Sequence, residues 1–244
     1  MDLTPRQALI LKTLIEEYTD NAEPVGSETL EQKYDLGVSP ATIRNEMSYL
    51  TKSGYLKQPH TSAGRIPTAR ALRFYVQQLM EEKKLSLADE VKARQRIDEG
   101  KNDLGKVMHE ATRALAEESK MLCVGAIDGD DSLWHAGYAN ILSIPEFYNI
   151  DVTSRVLLLL EQFDRIHQIL FRETIPLSVL FGEELGWSYF EPVGVVATHF
   201  KVMTPDRERV GSLGVIGPAR LPYAYIIPRV RYFGDLVAQA VSEK

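Results

Sequence analysis

The sequence predicts an α+β protein of two domains with a helical segment between them, and three observations carry that expectation. Thr4-Pro5 and Ser39-Pro40 each place a hydroxyl residue before a proline, the cap and first-turn signature of a helix start. Charge changes sign near residue 40: residues 1–39 hold three basic and eight acidic side chains, whereas residues 40–75 hold six basic ones and the lone acid Glu46. From Met121 onward, polar helix-favouring sequence gives way to short apolar β-like runs. At 244 residues, 44% hydrophobic and 25% charged, the chain suffices for two cores without metal or disulfide support.

The first helix starts after Thr4, and Leu9, Ile10, Leu14, Ile15 and Tyr18 recur at three- and four-residue spacing, so it buries one face. Asn21-Ala22-Glu23-Pro24-Val25-Gly26 breaks it. Ser27 is expected to cap a second short helix, in which Leu30 and Tyr34 share a face. Asp35-Leu36-Gly37-Val38 is a tight turn, and Ser39-Pro40 opens a third helix running to about Ser53. Two short helices joined by a glycine turn make a helix-turn-helix. Gly54 to His60 reads as extended, Thr61-Ser62-Ala63-Gly64-Arg65 as a turn and Ile66-Pro67 as a return strand, which together form a β-hairpin wing. Ala71, Leu72, Phe74, Tyr75, Val76, Leu79 and Met80 then repeat a helical pattern, and the charge run Glu81-Glu82-Lys83-Lys84 marks a boundary. Residues 1–82 are accordingly expected to be a winged helix-turn-helix domain.

Residues 83–119 are expected to form a long linker helix. Ile97, Leu104 and Ala111 stand seven apart, as do Met108 and Leu115 on an adjoining row, but Lys101, Gly100 and Gly105 weaken the seam. Two readings stay open: a helix packed on its own C-terminal domain, or a dimer-forming helix pair. Residues 120–244 make the second domain, with strands expected at Met121–Ile127, Leu177–Phe181, Val193–Met203 and Gly211–Ile216. Helices are expected at Val152–Phe171 and from about Tyr223 to Val241. Cys123 reads as a strand residue, and Trp134, Trp187 and Phe190 as core or interface aromatics.

The third helix carries the candidate site. At 100° per residue, Ile43, Met47 and Leu50 fall on one stripe and face the core. Ala41, Asn45, Ser48 and Lys52 lie opposite, flanked by Arg44 and Tyr49, with Ser39 and Thr42 at the helix start. Small side chains permit close approach to a major groove, Asn and Arg pair with base edges, and hydroxyls contact phosphates. In the wing, His60, Thr61, Ser62 and Arg65 suit a phosphate strand or a minor groove. Arg70 and Arg73 are further candidates for phosphate contacts. The net charge of −6 would discourage a nucleic-acid partner if it were spread evenly, but the basic residues are concentrated where phosphates would lie.

The runs Glu23-Pro24-Val25-Gly26-Ser27, Ser39-Pro40-Ala41-Thr42-Ile43-Arg44-Asn45-Glu46-Met47 and Gly54-Tyr55-Leu56-Lys57-Gln58-Pro59-His60-Thr61-Ser62-Ala63-Gly64-Arg65-Ile66-Pro67-Thr68 closely resemble the bacterial heat-inducible transcription repressor family, HrcA. The resemblance is nearly continuous over residues 4–80. It implies a homodimer that binds double-stranded DNA at an inverted-repeat (CIRCE) operator ahead of chaperone genes and releases it on heat stress, with a chaperonin helping to keep it active. Ala136 to Phe147 and Gly211 to Tyr223 also resemble the family, with Leu221 where the family has Met. The implied C-terminal fold is a GAF-like α+β domain with an inserted dimerisation subdomain. Here Val124-Gly125-Ala126-Ile127 runs almost directly into Ala136, so most of the insertion, and part of the sheet, is expected to be absent.

An enzyme reading finds no support in the sequence. His60, His109, His135, His167 and His199 are widely separated, without Cys or carboxylate partners at metal-ligand spacing, so neither a metal nor a cofactor is expected. Gly211-x-x-Gly214-x-x-Gly217 lacks the dinucleotide-binding spacing. GAF-like domains often hold small ligands, which keeps a ligand-sensing winged-helix regulator as the alternative. The absence of a signal-peptide layout and of a long apolar run predicts a cytoplasmic protein without membrane association.

Overall fold

The computed structural model describes residues 3–101, 103–172, 176–186, 188–204 and 207–242, with the side chains of residues 183, 188 and 242 left aside. Two units emerge, Met1–Glu81 with Arg220–Ala224, and Glu82–Ala219 with Tyr225–Lys244.

In the first unit, α1 (Pro5–Asn21) begins with a full capping box: Gln7 N donates to Thr4 Oγ1 and Thr4 N donates to Gln7 Oε1. It ends at Ala22, whose left-handed φ of 60° lets its N–H reach Tyr18 O. The short helix α2 (Ser27–Lys33) takes Gly26 as its cap, so Ser27 is its first residue and is buried, which corrects the expected cap. Then come α3 (Pro40–Lys52), the two-residue strands β1 (Leu56–Lys57) and β2 (Ile66–Pro67), and α4 (Ala69–Phe74), which continues as a π-turn through Tyr75–Leu79. Ile10, Leu11, Leu14 and Ile15 of α1, Leu30 of α2 and Ile43, Met47 and Leu50 of α3 form its core.

A buried carboxylate ties α1 to α2. Glu17, 5% exposed, accepts hydrogen bonds from Lys33 Nζ (2.5 Å), Asn21 Nδ2 (2.8 Å) and Tyr34 Oη (2.8 Å). Burial pushes its pKa up, but the bonds from Lys33 and Tyr34 hold it below the ordinary carboxylate value overall. Burial, with the hydrogen bond to Glu17, raises the Tyr34 phenol to about 12.

In the second unit, the expected long linker helix is two helices, α5 (Leu87–Asp98) and α6 (Leu104–Ser119), capped by Ser86 and Asp103. Gly100 marks the break. A Cβ there would lie 3.0 Å from Val107 N and 3.1 Å from Lys106 C, a tight fit against the returning backbone that glycine relieves. Ile97, Met108, Ala111 and Leu115 of the expected seam are buried within this single chain. That packing corresponds to the first of the two readings left open above.

The sheet has the order β4-β3-β7-β6-β5, antiparallel throughout, with β3 (Leu122–Ile127), β4 (Leu133–Ala136), β5 (Leu177–Phe181), β6 (Val193–Met203) and β7 (Glu208–Pro218). Between β4 and β5 come α7 (Tyr138–Ile141), a 3-10 turn at Pro145–Tyr148, α8 (Ile150–Glu161) and α9 (Phe163–Leu170); α10 (Tyr223–Ser242) ends the chain. The single helix expected over Val152–Phe171 is thus α8 and α9, parted at Gln162, whose ψ of 79° leaves the helical range. Alternation along the strands gives the sheet two apolar faces. Leu122, Val124, Ala126, Val195 and Ala197 pack with α7, α8 and α9. The opposite face meets α6 at Gly125, where an added Cβ would lie 2.9 Å from Met108 Cε, and α10 at Gly234, 2.6 Å from Thr198 Cγ2. The α+β expectation holds: the sheet lies between two helical layers. Cys123 is buried in it, and burial raises its thiol to about 12, which makes it an inert core residue. Phe190 is fully buried, Trp134 is half-buried in β4, and Trp187 lies outside the described residues. Among the described residues no helix is long and apolar enough to cross a membrane.

Candidate nucleic-acid interface

The candidate surface is built on α3. Ser39 has extended backbone, and its Oγ accepts from Thr42 N at 3.3 Å, while Pro40 supplies a preset φ at the first helical position. Ile43 and Leu50 are fully buried and Met47 nearly so, which turns Ala41, Arg44, Asn45 and Lys52 to solvent, with Tyr49 42% exposed. Asn45 makes no side-chain hydrogen bond within the described residues, leaving its amide available to pair with a base edge.

The hydroxyls behave differently from the expectation that they grip phosphates. Ser48 Oγ donates to Arg44 O at 2.9 Å, so its only proton is already used within the helix, and a phosphate offers acceptors alone. Ser39 and Thr42 share one hydroxyl–hydroxyl contact at 3.1 Å, which leaves one proton between them for an outside acceptor.

Charge on this surface is set by two carboxylates. Glu46, the lone acid of the basic stretch, turns away from solvent to receive Arg6 Nη2 at 2.7 Å and Gln7 Nε2 at 3.0 Å from α1, and its side chain is 12% exposed. The outer face of α3 therefore has no acid of its own. Glu28, in the first turn of α2, lies 3.7 Å from Arg44 Nη2 with both side chains largely exposed, a pairing that contributes under about 1 kcal/mol and yields readily to a phosphate.

The wing stands beside this helix. Leu56 pairs with Pro67 and Lys57 with Ile66, while Val25 and Arg65 exchange both backbone hydrogen bonds (2.9 and 2.8 Å), an isolated antiparallel bridge at the wing's root. At the tip, the Gln58 amide donates to Thr61 O and Ala63 O, each at 2.9 Å. Gln58 thereby holds exposed His60, Thr61 and Ser62 outward. Gly64 is required by close approach, because a Cβ there would stand 2.4 Å from Val25 O. Between α2, α3 and the wing lies a cleft of about 420 Å³ lined by Glu28, Arg44, Thr61, Ser62 and Arg65, among others. Folding has thus gathered four of the expected site residues from helix and wing around one groove.

Arg65 departs from the expectation. Its guanidinium is half-buried, with Nε on Thr51 Oγ1 at 3.2 Å and Nη1 near Ala63 O and Gly64 O at 3.4 Å, so it braces the wing against α3 instead of projecting from the tip. The cause is position, since the backbone of Arg65 is already bridged to Val25 at the wing's root. Arg70 is exposed but committed to structure: it lies 4.5 Å over the Tyr55 ring and donates to Ser53 O at 2.9 Å, satisfying a carbonyl at the end of α3. Arg73 is half-buried on α4. The residues that sequence reasoning missed are Gln58, Glu28 and Thr51, none of which has a local pattern signalling its role; Glu46 was noticed only as a charge.

Comparison with known proteins agrees with this geometry. Residues 2–81 match the family described as "Winged helix-turn-helix transcription repressor, HrcA DNA-binding", and residues 60–227 match "HrcA protein C terminal domain". The heat-inducible transcription repressor HrcA of Carboxydothermus hydrogenoformans is 26% identical over 339 aligned positions, covering 98% of each chain. At least 95 of those positions, 339 less 244, have no counterpart here, in line with the expected missing segment. The repressor of the same name from Symbiobacterium thermophilum is 46% identical over 119 residues, covering 49% of this chain and 35% of that one. A crystal structure of a hypothetical protein at 2.2 Å resolution superposes with a TM-score of 0.78 over 99% of both chains at 17% identity, a likeness of fold. With both halves matched and a winged helix whose outer face is cleared of acids, the chain belongs to the HrcA family of heat-inducible transcription repressors.

Proposed function

We propose that a homodimer of this chain represses chaperone genes by binding an inverted-repeat operator of double-stranded DNA in the cytoplasm. In this reading α3 enters the major groove, with Arg44 and Asn45 on base edges and Ala41 allowing close approach. Lys52, Tyr49 and whichever of Ser39 and Thr42 keeps its proton meet the backbone, and the wing tip His60-Thr61-Ser62 lies along the flanking phosphates. Arg65 and Arg70 act by holding the wing and the end of α3 in place, and Arg73 adds positive charge behind them. One such helix reads only a few base pairs, and two half-sites about one helical turn or a multiple apart supply the remaining specificity. The C-terminal unit pairs the subunits and receives the heat signal, with a chaperonin as the further partner that the family resemblance implies.

The observation that carries this reading is the withdrawal of Glu46 to Arg6 and Gln7, which leaves an exposed face of Ala41, Arg44, Asn45 and Lys52. In a gel-shift assay with an inverted-repeat duplex, Arg44→Ala with Asn45→Ala is expected to weaken binding by at least about 30-fold, two base contacts at about 1–3 kcal/mol each. Unchanged affinity would sink the assignment.

One observation favours ligand sensing as a second reading. A cavity of about 610 Å³ in the C-terminal unit is lined by Asp128, His167, Phe171, Arg172 and His199, among others, a size suited to small molecules. The His167 ring lies 4.4 Å from that of Phe171, and its Nε2 is 3.3 Å from Asp128 Oδ1. A metabolite panel in thermal denaturation separates the readings, since only an occupied site raises the transition temperature by mass action.

A further inference from the structure

The exposed apolar side chains of this protein are unevenly distributed. Among the described residues thirteen large apolar side chains remain 36% exposed or more, and six of them are Leu142, Tyr148, Ile150, Leu157, Leu158 and Tyr189. Five of them lie at the end of α7, in the 3-10 turn and on α8, and the sixth, Tyr189, lies in a further 3-10 turn (Ser188–Phe190) that packs against α8. On α8 the inner stripe of Val152, Val156 and Leu159 is buried in the core. At 100° per residue, Ile150, Ser154, Leu157, Leu158 and Glu161 share the opposite side. Tyr148 ends the 3-10 turn, one residue before α8, and its hydroxyl donates to Ser143 O at 3.4 Å, beside Leu142. Tyr189 is joined to the same helix by Arg155, whose guanidinium lies 4.5 Å above its ring.

Such a surface stands at the upper end of what a lone chain exposes to water. With exposures of 36–72% and about 200 Å² for a fully exposed large side chain, the six leave on the order of 600 Å² of apolar surface. That equals the largest patch of a typical monomer, about 300–600 Å², and approaches the ~800 Å² that each partner contributes to a standard interface.

We propose that this face of α8 is the surface through which two copies of the chain pair. The inference rests on the homodimer reading above and adds the location. The outward side of α8 is complementary to itself. In an antiparallel crossing about a two-fold axis through Ser154, Ile150 of one copy meets Leu158 of the other, and the reciprocal contact repeats it, as an isologous interface requires. Ser154, at the crossing point, is small enough to let the two helices approach closely. Asp151 and Arg155 sit along one edge of the apolar strip and Glu161 at its C-terminal end, and they supply the polar rim that interfaces of this size carry.

The test is the solution mass of the full chain by sedimentation equilibrium, across a micromolar concentration series. The wild type is expected at twice the mass of one chain. Leu157→Glu with Leu158→Glu is expected to raise the dimer dissociation constant at least 100-fold, while far-UV circular dichroism stays unchanged. Should that variant fail to fold, Ser154→Arg provides the same test, because it changes one exposed polar position and removes nothing from the core. Leu87→Glu, at a side chain 80% exposed on α5, is expected to leave the dimer intact. A dimer that survives in folded Ser154→Arg overturns the location while leaving the homodimer reading standing, as does dissociation by Leu87→Glu alone. A wild type that stays monomeric throughout the series overturns both.

Discussion

On α3 in the N-terminal unit, the residues turned to solvent are Ala41, Arg44, Asn45 and Lys52; on α8 in the C-terminal unit they include Ile150, Leu157 and Leu158. Both helices bury an apolar stripe of the same kind, Ile43, Met47 and Leu50 in one and Val152, Val156 and Leu159 in the other. Their inner faces therefore say little beyond the fact that each helix packs. The outer faces differ in the partner that would satisfy them. Exposed Arg and Asn remain well hydrated until a partner rich in hydrogen-bond acceptors replaces the water, whereas exposed Leu and Ile gain from any partner that removes water from them. The first pattern suits nucleic acid and the second suits protein.

Four substitutions test how separable the two units are, beginning with the largest expected effect. Gly137 precedes α7 with φ of 90°, and a Cβ there would stand 2.2 Å from Met121 O. Gly137→Ala combines left-handed strain with a backbone clash, and chemical denaturation should show a loss of about 3 kcal/mol confined to the C-terminal unit. Gly64→Ala makes the corresponding backbone clash at the wing's root, 2.4 Å from Val25 O. It should cost about 2 kcal/mol and weaken operator binding in a gel shift through displacement of the wing.

Glu17→Gln probes the buried knot of the N-terminal unit. The folded carboxyl is held below its ordinary pKa, so its contribution is fully present above the unfolded value and is lost as pH falls through the folded one. Wild type and variant should thus differ by about 1.5 kcal/mol at neutral pH and converge in acid, as read from denaturant midpoints over a pH series. The smallest effect concerns Glu28, whose carboxylate competes with phosphate for Arg44. Glu28→Ala should tighten operator binding by less than about tenfold, with the gain shrinking as salt is added.

The two units also differed in how far they could be anticipated. The caps at Thr4 and Ser39, the core stripe of α3 and the wing were legible because each depends on contacts within a few residues. In the C-terminal unit β5 and β6 were anticipated end to end, as dense apolar runs between breaks. Strand β4, Leu133-Trp134-His135-Ala136, was missed because four residues of mixed polarity carry no period; it is a strand by virtue of pairing with β3. The breaks at Gly100 and Gln162 were missed for a related reason. Each is where a helix turns back onto a neighbour, and helix propensity summed over a window does not register that neighbour.

Within the candidate site, the sequence by itself determined which residues line the outer face of α3, because a 100° step and three apolar residues leave no other arrangement. It also determined the sign of the charge, through the switch near residue 40. Tertiary structure alone decided what each charged group does with its reach. Glu46 is taken up by Arg6 and Gln7 from forty residues away, Arg65 is drawn into the root of its own wing, and Arg70, expected on a phosphate, closes the end of α3. Helical periodicity and capping are properties of neighbours along the chain. The destination of a long charged side chain is set by whichever carbonyl, carboxylate or ring the fold brings within about 3 Å, and that is known only once distant segments have packed.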